Sequence, residues 1–87
     1  MARLTKREKD GTAGLLEPSV EMEQVLFKLC CYEELAEELL TMQETLSEEL
    51  ETLRSAGKTK TVQFREHMGK KLSNSYCLSL LQARGLL

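Results

Sequence analysis

Apolar residues between positions 22 and 53 recur with the spacing of a coiled-coil heptad, whose a and d positions face a partner helix. Nine of these ten positions, the seam, are apolar, and the exception is Gln43. Glutamate and other polar residues fill most of the outward positions, so the pattern predicts one long amphipathic helix over residues 19–56. The a series is Met22, Leu29, Ala36, Gln43 and Leu50, and the d series is Val25, Tyr32, Leu39, Leu46 and Leu53.

The apolar face is wider in the first half of this helix than a two-stranded coiled coil needs. Leu26 and Leu40 occupy e positions, and Leu35 and Met42 occupy g positions, where such a coil usually carries charge. We therefore expect residues 25–42 to touch more than one neighbouring helix. The polar member of the seam, Gln43, is a candidate for fixing the register or the oligomeric state.

Residues that favour helix termini mark both ends of the long helix. Pro18 suits a first helical turn and Ser19 can cap one, which places the start of the helix near residue 19. Gly57 suits the left-handed position that follows a helix, so the helix should end near residue 56. Residues 1–18 are polar and show no strand pattern, and they are predicted to form a flexible tail.

A shorter helix is predicted over residues 61–73, with Thr59 or Thr61 as its cap. Helical spacing groups three apolar residues into one stripe, and Gly69 weakens the helix by up to about 1 kcal/mol. The stripe consists of Phe64, Met68 and Leu72.

Asn74 and Ser75 interrupt the pattern of the second helix, so a third short helix is expected from Ser75 to residue 84, stopped by Gly85. This last segment is rich in leucine and needs a partner to cover it. We expect Leu78 and Leu81 to pack against residues 25–42 of the long helix, in the same chain or in a neighbour.

The net charge of −2 conceals an acidic centre and a basic end. Residues 19–56 carry two cations against ten glutamates, a net −8, whereas residues 57–87 carry six cations against one glutamate. The basic segment is therefore expected to fold back onto the acidic helix, within the chain or between chains. The alternative is that residues 58–71 bind nucleic acid, with Phe64 stacking on a base, although the acidic helix would repel phosphates.

Size and composition restrict the class of protein. With 87 residues, 5% aromatic residues and no tryptophan, the chain buries little surface, and an enzyme fold with a substrate cleft is not expected. The apolar runs are too short to span a bilayer, and the first residues do not match a secretory signal. The odd number of cysteines, with Cys30 next to Cys31, favours reduced thiols in an intracellular protein of the cytoplasm or nucleus.

The reactive side chains form no recognisable catalytic or metal site. Gly57, Lys58 and Thr59 match the end of a phosphate-binding loop, but a helix precedes them and the earlier glycine of that motif is missing. The single histidine, His67, is expected to be a solvated surface residue, and the cysteines lack the spacing of metal ligands. No catalytic residue, cofactor, metal or small-molecule substrate is therefore predicted.

Together these patterns predict an all-α fold, in which one long heptad-patterned helix is followed by one or two short helices. The three segments are a tail over 1–18, an acidic coiled-coil helix over 19–56 and a basic, leucine-rich segment over 57–87. The long seam exceeds what the return segment can cover, so a coiled coil or helical hairpin should be completed by oligomerisation. The expected function is that of a non-enzymatic subunit, scaffold or adaptor that binds a helix of another protein or of a second copy. Its binding residues would be the ten seam residues together with Leu78 and Leu81.

Overall fold

The computed structural model describes residues 1–87, and most of them are helical. Two short strands come first, β1 (Thr5–Arg7) and β2 (Ala13–Leu15), followed by two helices, α1 (Met22–Ser55) and α2 (Val62–Ala83). The chain forms two compact units, residues 1–33 and residues 34–87, and α1 contributes to both. The predicted helical character is confirmed, whereas the three predicted segment boundaries stay a prediction.

The unit of residues 1–33 contains a β-hairpin, and the expectation that this region has no strand was wrong. Strands β1 and β2 pair antiparallel, with Thr5 opposite Leu15 and Arg7 opposite Ala13. One further backbone hydrogen bond, from the Leu16 amide to the Leu4 carbonyl, extends the ladder. Three-residue strands are too short to show an alternating pattern of apolar and polar residues, which is why the sequence pattern missed them.

The turn of the hairpin is organised by Asp10 and Gly11. The Asp10 carboxylate accepts hydrogen bonds from the backbone amide of Thr12, at 3.0 Å, and from its hydroxyl, at 2.6 Å. Gly11 has a φ of +90°, a left-handed conformation that glycine adopts without strain. An Asp-Gly pair is a typical signal of a hairpin turn, and it could have revealed this element from the sequence.

We expect the hairpin to loosen in acid because of Asp10. The hydrogen bonds from the Thr12 hydroxyl and amide lower the pKa of the Asp10 carboxyl below its ordinary value of 3.8. Its contribution to stability is therefore present above that ordinary value and is lost as the pH falls through the lowered pKa. Cross-strand nuclear Overhauser effects between Lys6 and Gly14 should weaken through an acid titration. The non-titrating variant Asp10→Asn should change less, and equal loss in both proteins would contradict this role.

Helix α1 begins at Met22 rather than near residue 19, because the segment containing Pro18 and Ser19 forms a turn before it. Its end agrees with the prediction. Gly57 has a φ of +71°, its amide donates to the Arg54 carbonyl, and the next amide donates to the Leu53 carbonyl. This pair of hydrogen bonds is the Schellman arrangement that terminates helices at glycine.

Helix α2 is continuous from Val62 to Ala83, so the expected break at Asn74 and Ser75 was wrong. Thr61 caps it as predicted, because its hydroxyl accepts a hydrogen bond from the Phe64 amide at 3.2 Å. Gly85, at a φ of +72°, ends it as predicted. The second and third helices of the sequence pattern are therefore one helix of 22 residues.

Within the unit of residues 34–87, α2 runs antiparallel to the second half of α1. Residues near the start of α2 contact the end of α1, and Asn74, further along α2, contacts Leu39 and Gln43. The apolar core of this unit is small and consists of the α1 leucines that face α2. These buried residues are Leu46, Leu50 and Leu53.

Candidate interaction site

A network of polar side chains joins the two helices of the 34–87 unit. The Asn74 amide nitrogen Nδ2 donates to the Leu39 carbonyl and to Gln43 Oε1, both at 2.8 Å. Gln43 Nε2 in turn donates to the Ser75 hydroxyl at 2.6 Å. Asn74 is only 4% exposed, and its Oδ1 is buried without a hydrogen-bond partner. Gln43 thus contacts the second helix of its own chain, where these hydrogen bonds hold one alignment of α1 on α2.

His67 also lies between the helices, and the expectation of a solvated histidine was wrong. Its Nε2 lies 2.8 Å from a carboxylate oxygen of Glu49, and its side chain is mostly buried. Its second ring nitrogen, Nδ1, is buried without a partner. Helical spacing places His67 seven residues before Asn74, on the same face of α2. The basic segment therefore does fold back onto the acidic helix.

Phe64 lies near the start of α2, close to the end of α1, rather than being fully exposed for stacking on a nucleic-acid base. It is half-buried, and the Arg54 guanidinium lies 5.7 Å from the centre of its ring, a cation–π distance. A neighbouring carboxylate, that of Glu51, accepts a hydrogen bond from the same arginine at 3.0 Å. Nucleic-acid binding by residues 58–71 stays a prediction, and in this structure the Arg54 guanidinium lies over the Phe64 ring.

The predicted seam divides into a covered part and an exposed part. In the 34–87 unit, the seam residues are buried or half-buried, and Leu78 and Leu81 are half-buried. In the 1–33 unit, Val25 is half-buried, whereas Met22, Leu29 and Tyr32 are more than half exposed. The covered or half-buried set is Ala36, Leu39, Gln43, Leu46, Leu50, Leu53, Leu78 and Leu81.

The face of α2 that points away from α1 carries a row of large apolar residues among its polar ones. Leu72, Tyr76 and Leu80 follow each other at intervals of four residues and are 64%, 66% and 51% exposed. Spacing grouped Leu72 with Phe64 and Met68, but those two residues are half-buried whereas Leu72 faces outward. Helical spacing puts Asn74 on the opposite face. Helix α2 thus carries apolar residues on its outward face as well as on the face that lies against α1.

A cleft of about 430 Å³ lies within the 1–33 unit, between the N-terminal residues and the first turns of α1. The Lys28 ammonium donates to the Ala2 carbonyl at 2.5 Å, and the Tyr32 hydroxyl lies 3.6 Å from the Met1 sulfur. The lining is mainly apolar, with two cationic side chains. It comprises Met1, Arg3, Leu4, Thr5, Val25, Lys28, Leu29 and Tyr32.

The arrangement of reactive groups gives no metal cluster. No group of three or more His, Cys, Asp or Glu side chains is placed to hold a metal ion. All three cysteines are exposed, and Cys31 and Cys77 are free thiols. Neither helix combines the length and the apolar character that crossing a bilayer requires.

The sequence pattern missed Asn74, Ser75 and His67 as interhelical residues. A search for apolar periodicity ignores polar residues. His67, Lys71 and Asn74 nevertheless continue the three- and four-residue spacing of the apolar residues Leu78 and Leu81. Spacing without regard to polarity is the signal that could have found them.

Comparison with known proteins identified no relative of this chain. No family model, curated protein or solved structure matches it.

Proposed function

We propose that this chain is a non-enzymatic interaction subunit, a small scaffold or adaptor that binds a helix of another protein chain through coiled-coil contacts. One observation carries the proposal, namely the exposed apolar row at the start of α1. Met22, Leu26 and Leu29 lie at intervals of four and three residues, and each is more than half exposed. Adjacent large side chains of this kind on a helix face are typical of surfaces that another protein covers.

The length of α1 supports the same function. A helix of 34 residues is about 51 Å long, whereas the 22 residues of α2 extend about 33 Å. Long helices gain most of their stability from packing an apolar face rather than from intrinsic propensity. A partner helix on the row of Met22, Leu26 and Leu29 would supply such packing for the first turns.

Site-specific photocrosslinking tests this function in cells that express the chain. A photoreactive amino acid at Leu26 is expected to yield one dominant adduct with a protein, because this position would lie inside the interface. The matched control is the same amino acid at Glu48, an exposed polar position further along α1. Mass spectrometry of the adduct then distinguishes a second copy of the chain from a different protein.

A further variant connects the adduct to the apolar row. Met22→Asp places a carboxylate in the first turn of α1, where the helix dipole favours an anion, so folding should be preserved. Because a charge in an apolar interface is costly, we expect the adduct at Leu26 to fall by roughly tenfold or more. Equal adduct yields from Leu26 and Glu48 would contradict the proposed function. So would an adduct yield at Leu26 that Met22→Asp leaves unchanged.

A further inference from the structure

Gly69 occupies the interior of α2, where glycine lowers helix stability by up to about 1 kcal/mol relative to alanine. A Cβ atom added at this position would meet no other atom within 4 Å. Its φ is also not positive, so the backbone does not require glycine. Nothing within the chain therefore accounts for this residue, whereas the close approach of a helix from outside would.

The outward apolar row of α2 continues from Gly69. Leu72, Tyr76 and Leu80 follow it at three, seven and eleven residues, which is one face of a helix. The network around Asn74 occupies the other face. Gly69 is thus the small member of an exposed row of large apolar residues, where a neighbouring backbone would come closest.

Charge indicates which kind of helix fits this row. Arg65 and Lys70 are exposed and lie four residues before and one residue after Gly69, and the exposed Glu66 offsets only one of these two charges. Two copies of α2 packed on each other would bring these like charges together, which is unfavourable. An acidic helix with exposed apolar residues would complement both the charge and the row.

Helix α1 of this chain carries such a surface in the 34–87 unit. Leu35 and Met42 are one heptad apart and about half exposed, and Glu38 lies between them. Glu37 is exposed next to it, and a shallow depression there is lined by Glu34, Glu37, Glu38, Thr41 and Met42. The acidic, partly apolar surface matches the basic, partly apolar face of α2.

We propose that α2 of one copy docks its row of Gly69, Leu72, Tyr76 and Leu80 onto the Leu35–Met42 surface of α1 in a second copy. This inference goes beyond the proposed function, because it concerns a different surface and commits to a second copy of the chain as the occupant. Gly69 and Met42 line one shallow depression of the same chain, so the two surfaces adjoin. Two copies can therefore exchange both contacts in a symmetric dimer, or the contact can repeat from copy to copy. In both cases the solution mass exceeds the 9.9 kDa of one chain.

Light scattering after size exclusion, at low salt and about 100 μM protein, gives the first test. This concentration detects contacts with a Kd near 10⁻⁴ M, a binding free energy of about −5 kcal/mol. The expected result is a mass above that of one chain, falling as salt screens the charges. A helical monomer at this concentration overturns the inference. It would leave the proposed function intact, since the Leu26 adduct reports on a different surface.

Replacement of Gly69 separates docking from folding. Gly69→Leu removes the close approach, yet the side chain enters open space and leucine is a better helix former. We therefore expect a higher melting temperature for the dilute chain together with association weakened by roughly tenfold or more. A higher melting temperature with unchanged association would overturn the contact at Gly69.

Charge reversal identifies the two surfaces that meet. One variant carries Arg65→Glu and Lys70→Glu, and the other carries Glu37→Lys and Glu38→Lys. Each alone should associate roughly tenfold or more weakly, because like charges face each other. An equimolar mixture should recover the wild-type mass. The acidic α2 of the first variant then meets the basic α1 of the second, and the basic α2 of the second meets the acidic α1 of the first. Association of either variant alone at wild-type strength, or no recovery on mixing, overturns the assignment.

Discussion

Replacing Leu50 with alanine should lower the free energy of unfolding of the 34–87 unit by about 2–5 kcal/mol, the range for deleting a buried leucine side chain. Leu50 is 1% exposed and lies between the other two buried leucines of α1. A core this small has few neighbours that can shift to fill the vacated space. Because small domains are stable by only about 5–15 kcal/mol, this loss should remove much of the cooperative transition.

Urea denaturation followed by circular dichroism measures this effect, with Leu26→Ala as the matched control. Leu26 is the same residue type on the same helix, but it is exposed, so its truncation in the dilute chain should change stability by no more than about 0.5 kcal/mol. Similar midpoints for the two variants would show that α1 does not gain its stability from packing on α2.

The second large effect is expected for Asn74→Asp, which should destabilise the 34–87 unit by about 3 kcal/mol at neutral pH. Asn74 donates two hydrogen bonds to oxygen atoms, those of the Leu39 carbonyl and the Gln43 side chain. A carboxylate of the same shape donates none, and it brings a negative charge against both oxygens. Acidification should reduce the loss, because the protonated acid can again donate one hydrogen bond.

Gln63→Glu is the control for this substitution. It exchanges an amide for a carboxylate on the same helix, but at an exposed position, so the change should be within about 0.5 kcal/mol. Thermal unfolding of both variants at neutral and acidic pH distinguishes the outcomes. If Asn74→Asp unfolds at the temperature of the control, the interhelical network does not contribute to stability.

Sequence patterns predicted the elements whose causes are local. The ends of the helices at Gly57 and Gly85 follow from the left-handed conformation that glycine adopts. The cap at Thr61 follows from a hydroxyl placed three residues before a free amide. The buried leucines of α1 follow from heptad spacing over many residues, which few other arrangements satisfy.

Features that depend on distant residues were missed or misread. Asn74 has low helix propensity and was interpreted as a break, but its hydrogen bonds to α1 keep it within a helix. His67 was interpreted as solvated because it follows Glu66 on a helix rich in cations, whereas its contact is with Glu49 on the other helix. The same limit applies to the outward face of α2, since the inner side of a helix is known only once its partner is placed.

The position of Asn74 directly before Ser75 also has a chemical consequence. Asparagine deamidates when the backbone nitrogen of the next residue attacks the side-chain carbonyl carbon and expels ammonia; water then opens the resulting ring to aspartate or isoaspartate. In α2 the helical backbone and the two hydrogen bonds of the Asn74 amide keep these atoms from reacting. Deamidation therefore proceeds through molecules in which this part of α2 has opened.

Each such event leaves a carboxylate that opposes closure of the two helices, so the damage favours further opening. The packing of α2 on α1 thus protects Asn74 from deamidation as well as stabilising the fold. A bound partner that kept α2 packed on α1 would slow the deamidation of Asn74 in every molecule to which it was bound.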